Sequence, residues 1–179
     1  MDASVKEIGA SGGISAAVGA MQRYKDDAVV QENACLALEN LADTVAENKK
    51  MVAEADGVAL IVNAMKQHAS VAPVQLNGCF ALETMVEDYD ANKPLIVEQD
   101  GITVVLRAML LHPSEAKIAL AACFALEVLA SNNDEIQELI VGSDGINRTG
   151  LWDSWSVMNR TAQSKNSVVV AAVFPSLLN

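Results

Sequence analysis

Three cysteines, two histidines and a column of glutamates are the residues of this chain whose types and spacing could do chemistry. Cys35, Cys79 and Cys123 stand 44 residues apart, and so do Glu39, Glu83 and Glu127. Thiolates that share a metal come in closely spaced pairs, which these are not. Equivalent Cα atoms on neighbouring packed helices lie roughly 8 to 10 Å apart, beyond the about 7 Å that a disulfide spans. The cysteines therefore read as small buried hydrophobes in a reducing compartment. His68 and His112, also 44 apart, close helical stretches, where the helix dipole favours an imidazolium. The acidic pairs Asp26-Asp27 and Glu87-Asp88 fall at helix boundaries and read as solvated caps, not as general acids or metal ligands. Gly9, Gly12 and Gly13 lack the Lys-Ser/Thr step of a phosphate loop. No nucleophile stands beside a base. The sequence predicts no catalytic, cofactor-binding or metal-binding residue, and hence no enzyme and no cofactor.

A repeat positions all of these residues. Gly13, Gly57, Gly101 and Gly145 are each 44 apart, and Met21, Met65 and Met109 keep the same step, as do Ala37-Leu38-Glu39, Ala81-Leu82-Glu83 and Ala125-Leu126-Glu127. No insertion breaks the register across three units, 13–56, 57–100 and 101–144. Units of this length cannot bury their own apolar faces and must stack. In the second unit Val58, Ile61, Val62 and Met65 share one face of a medium helix that His68 closes. Pro73 stands where a first helical turn tolerates it, ahead of a long helix with Cys79, Leu82, Met85 and Val86 as its inward stripe. Asp88-Tyr89-Asp90 ends that helix. A short helix capped by Asn92 and started by Pro94 follows, and Gly101 is expected to stop it with a positive φ.

With 179 residues, 51% of them hydrophobic, the chain holds one domain with ample core. Its net charge of −11 opposes nucleic acid and anionic membranes and suits a basic partner. Asp153 against Arg148, Arg160 and Lys165 makes the last 34 residues basic, which leaves about −13 on the repeats. The start has neither the basic residues nor the apolar run of a signal peptide, and Val168 to Leu178 is too short to span a bilayer. The protein reads as cytoplasmic, with the nucleus also open to it. Sequons at Asn147 and Asn159 therefore read as chance.

The stretch Gly57-Val58 through Ala64-Met65, the Val-Gln-x-x-x-Cys start of the long helix (Val30-Gln31 to Cys35), the Ala-Leu-x-x-Leu core (Ala37-Leu38 to Leu41) and the Asn48-Lys49 opening of the short helix resemble the armadillo repeat family over residues 5–146. The Met-x-x-His pattern at Met65/His68 and Met109/His112 departs from the importin and catenin branches. The resemblance implies an all-α, right-handed superhelical solenoid of three complete repeats with partial flanking units, whose long helices line a concave groove for an extended peptide. The family's groove tryptophan aligns with Leu36, Phe80 and Phe124, and its backbone-clamping asparagine with Asn40, Thr84 and Val128, so only the first unit keeps the clamp. A receptor for nuclear-localisation signals is not implied.

Beside that column run Glu39, Glu83 and Glu127, and by helical spacing Glu32, Leu36, Glu39, Asn40 and Asp43 share a face. An acidic row next to an apolar one suits a protein or peptide carrying lysine or arginine among apolar anchors. The chain is thus expected to be a non-catalytic interaction module or scaffold. The alternative is a substrate-holding fragment of a larger armadillo protein, such as a kinase or ubiquitin-ligase component. Lys6 and Ile8 align with Lys50 and Val52, so the chain starts inside a preceding unit's short helix. Gly145-Ile146 opens a fourth unit, which 147–179 abandons. That tail, with both tryptophans, reads as poorly ordered, with a cap over the last repeat as the alternative.

Overall fold

Fifteen-residue helices begin at Ala28, Ala72 and Ala116, one per unit of the repeat. The computed structural model describes residues 2–142, so the fourth unit, the tail and both sequons lie outside the described residues. The order is α1 (Asp2–Ile8), α2 (Ile14–Arg23), α3 (Ala28–Ala42), α4 (Ala46–Glu54), α5 (Gly57–Gln67), α6 (Ala72–Val86), α7 (Lys93–Glu98), α8 (Gly101–Leu111), α9 (Ala116–Ala130) and α10 (Asp134–Gly142). There is no strand among the described residues. The chain is all-α. None of the described helices is long and apolar enough to cross a membrane.

The long helices lie side by side, α3 against α6 and α6 against α9, while α2, α5 and α8 each pack against the long helix that follows them. The expected stripes face inward: Val58, Ile61, Val62 and Met65 of α5 and Cys79, Leu82, Met85 and Val86 of α6 are all buried. Leu38, Leu82 and Leu126 sit at matching depth in one continuous core. Small residues let these helices approach. A Cβ on Gly78 would stand 2.5 Å from Met65 Cγ, so α6 meets α5 where there is no side chain.

The glycine corner works differently from the sequence expectation. Positive φ falls one residue earlier, on Gly12 (103°), Asp56 (60°) and Asp100 (62°). Gly57 and Gly101 then open α5 and α8 against the preceding short helix, where an added Cβ would meet the carbonyl oxygen of Val52 or Ile96 at 2.8 Å. The glycine answers a steric contact, and an aspartate takes the left-handed conformation it tolerates better than most residues.

Polar side chains fasten the ends of the helices. Gln31 Nε2 donates to the carbonyls of Met21 (3.1 Å) and Tyr24 (2.9 Å), and Gln75 Nε2 to those of Met65 (3.1 Å) and His68 (2.9 Å). Each thereby bonds two carbonyls at the end of α2 or α5, of which Tyr24 and His68 also accept a turn amide, from Asp27 and Val71. The histidines, expected to serve their own helix dipole, instead reach back one unit: Nε2 of His68 lies 2.8 Å from the Lys25 carbonyl, and Nε2 of His112 is 2.8 Å from that of Ala69. A carbonyl only accepts, so in both rings Nε2 carries the proton. Asn92 makes no side-chain cap on the helix after it; its amide donates backward to the Met85 carbonyl at 2.9 Å, as Asn48 does to Leu41 at 2.6 Å. Asp27 is the cap expected of it, accepting from the amides of Val29 and Val30.

Candidate functional site

Helices α3, α6 and α9, with Asp43 at the C-cap of α3, carry the residues singled out in the sequence, and packing decides how each is presented. On α3, Leu36, Asn40 and Asp43 are exposed, while Glu32 and Glu39 are half-buried. The Glu32 carbonyl accepts from Asn77 Nδ2 at 3.4 Å, which places this flank of α3 against α6. On α6, Phe80, Glu83 and Thr84 are half-buried, and so are Phe124 and Glu127 on α9. Phe80 is packed against the core and remains partly accessible.

Glu39, Glu83 and Glu127 are brought together. Burial pushes the Glu83 carboxyl up to about 7, with further contributions from Glu87 at the C-cap of α6, Glu39 on α3 and Glu127 on α9. Burial likewise raises Glu39, helped by Asp43 one turn on, and raises Glu127. One carboxylate oxygen of Glu39, Oε2, is shielded from water without a hydrogen-bond partner. A half-desolvated anion facing other anions is a costly arrangement that an incoming cation relieves. The column is therefore a row of carboxylates across three helices, flanked by Leu36, Phe80 and Phe124.

The remaining polar residues of the face are less available than the sequence suggests. Asn40 Nδ2 folds back onto its own helix and donates to the Leu36 carbonyl at 2.7 Å, so an outward clamp requires that bond to open. The cysteines run beneath the row. Burial raises Cys35 to about 12 and Cys123 to about 11, and raises Cys79 as well, which keeps all three as unreactive thiols. All three are free. Among the described residues no group of three or more His, Cys, Asp or Glu is disposed to hold a metal ion.

Sequence spacing assigns no fastening role to Gln31 or Gln75, nor the reach of Lys49 to the Glu87 carbonyl and of Lys93 to that of Ser131. Their signal was present: polar residues recurring at the 44-residue step within or beside apolar stripes. No family model, curated protein or solved structure matches the chain.

Proposed function

We propose that this chain is a non-catalytic protein-interaction module, an armadillo-type solenoid of three units that holds a basic, apolar segment of a partner protein along α3, α6 and α9. The right-handed superhelical course and the concave groove are part of this proposal. What supports it is the mutual approach of Glu39, Glu83 and Glu127 from three adjacent helices, beside Phe80 and Phe124. Such a surface attracts lysine or arginine through its charge and offers an apolar strip for the side chains between them. The charge of the chain opposes nucleic acid and anionic lipid as alternative ligands. Free thiols, two of them buried and Cys123 half-buried, suit the cytoplasm.

The test is titration of a labelled peptide of alternating lysine and leucine residues into the full chain at rising salt. Binding weakens as screening increases, since the screening length is only about 8 Å at physiological ionic strength. Phe80→Ala weakens binding at every salt concentration through lost apolar contact. Salt-independent binding that is untouched by Phe80→Ala removes the groove from consideration.

A further inference from the structure

Lys49 and Lys93 are 4% exposed, and each reaches from a short helix to the end of the long helix one unit further on. Lys49 Nζ donates to the Glu87 carbonyl, which caps α6, and Lys93 Nζ donates to the Ser131 carbonyl, which caps α9, at 2.7 Å. The asparagine just before each lysine holds the other helix of the pair: Asn48 donates to the Leu41 carbonyl of α3, and Asn92 to the Met85 carbonyl of α6. Each Asn-Lys dipeptide thus ties together the C-terminal ends of two consecutive long helices, α3 with α6 and α6 with α9. Those ends carry the partial negative charge of the helix dipoles, where an ammonium is well placed. Lys93 also pairs with Asp90 at 2.7 Å. Residue 137, which follows Lys93 at the repeat step, is a glutamine that donates to the Ala130 carbonyl, within the same unit.

We infer that Asn48-Lys49 and Asn92-Lys93 are the joints that set the spacing and angle between successive long helices, and so position the carboxylates of Glu39, Glu83 and Glu127 relative to one another. The last step rests on the groove proposed above; the joint itself does not. An apolar clasp would hold the helices by area alone. A buried ammonium aimed at one carbonyl fixes distance and direction, because a hydrogen bond weakens steeply off its axis. The glutamates lie about one turn before these helix ends, so a change of angle at the joint is carried to them directly.

The test places spin labels at the exposed positions 43, 87 and 131 of the full chain, with the three native cysteines replaced by alanine, and measures the 43–87 and 87–131 distances. Lys93→Met is expected to shift or broaden the 87–131 distance and leave 43–87 unchanged, and Lys49→Met to do the reverse. Lys93→Arg, which keeps a charged donor, is expected to restore the distance. The same Lys→Met variants are expected to bind the lysine-leucine peptide about fivefold more weakly, the effect of misplacing one partly exposed ion pair. Unchanged distances in both variants would overturn the joint. Loss of both distances together, with the chain unfolding as a whole, also overturns it, because the lysine would then be general ballast of the core. A shifted distance with unchanged peptide affinity upholds the joint and contradicts the groove as the binding surface.

Discussion

The side-chain amide of Gln75, buried in the first turn of α6, donates to the main-chain carbonyl of His68 over 2.9 Å, so a buried residue of one helix holds the end of the helix before it. Gln31 does the same for Tyr24. The third unit has Ala119 in this place, and the end of α8 lacks that donor.

Gln75→Leu is therefore expected to destabilise the chain by about 1 to 3 kcal/mol, since it removes a donor from the buried Met65 carbonyl, while the His68 carbonyl keeps the Val71 amide. The reciprocal change, Ala119→Gln, supplies the donor in the third unit and is expected to add about 1 kcal/mol. Urea denaturation of the two variants measures both. Equal midpoints for Gln75→Leu and the parent would show that the amide is dispensable.

At the corner, two adjacent substitutions are expected to act in opposite directions. Asp56→Gly relieves a side chain held at positive φ and should stabilise by about 0.5 to 1 kcal/mol. Gly57→Ala drives a Cβ into the Val52 carbonyl and should destabilise by about 1 to 3 kcal/mol. Thermal unfolding of the pair decides it. If Gly57→Ala is neutral and Asp56→Gly destabilises, the corner is built the other way round.

Acidity should stabilise the chain through Glu83. Burial first, then Glu87, Glu39 and Glu127, raises its folded pKa to about 7 from an ordinary value of 4.5. A carboxyl raised in this way favours folding while it is protonated. Its contribution is complete below the unfolded value and is lost as pH rises through about 7. Stability should accordingly fall between about pH 4.5 and pH 7, and Glu83→Gln should flatten that slope and raise stability at the alkaline end. Denaturation midpoints across this range, for parent and variant, test the sign. A slope that Glu83→Gln leaves intact assigns the effect to other groups.

The helices and their inward faces were legible because one period governs them: apolar residues at helical spacing repeat at the 44-residue step, and Leu38, Leu82 and Leu126 fall at matching depth as that period requires. The corner was half legible. A recurrent glycine signals a steric demand, but Gly101 looks the same whether that demand is a positive φ or the approach of the Ile96 carbonyl. Its neighbour Asp100, which carries the unusual φ, reads in sequence as an ordinary polar residue. The histidines and lysines were harder still. His68 bonds to Lys25, and Lys93 to Ser131, across 43 and 38 residues, and sequence spacing carries no information about contacts between units until the stacking is known. The glutamate column was visible as a column. Its half-buried state and the mutual approach of Glu39, Glu83 and Glu127 depend on how closely α3, α6 and α9 pack.

Recognition of a basic partner by the carboxylate row, as proposed, is read out by reversing the charge of the row. The full chain and its Glu39→Lys, Glu83→Lys, Glu127→Lys triple variant are titrated with the lysine-leucine peptide at low and physiological salt, with circular dichroism confirming that both remain helical. Three partly exposed ion pairs are each worth up to about 1 kcal/mol, and reversal replaces each with a repulsion, so affinity at low salt should fall by at least tenfold, about 1.4 kcal/mol. A folded triple variant that binds as tightly as the parent would leave the glutamates as a solvated edge and place recognition elsewhere.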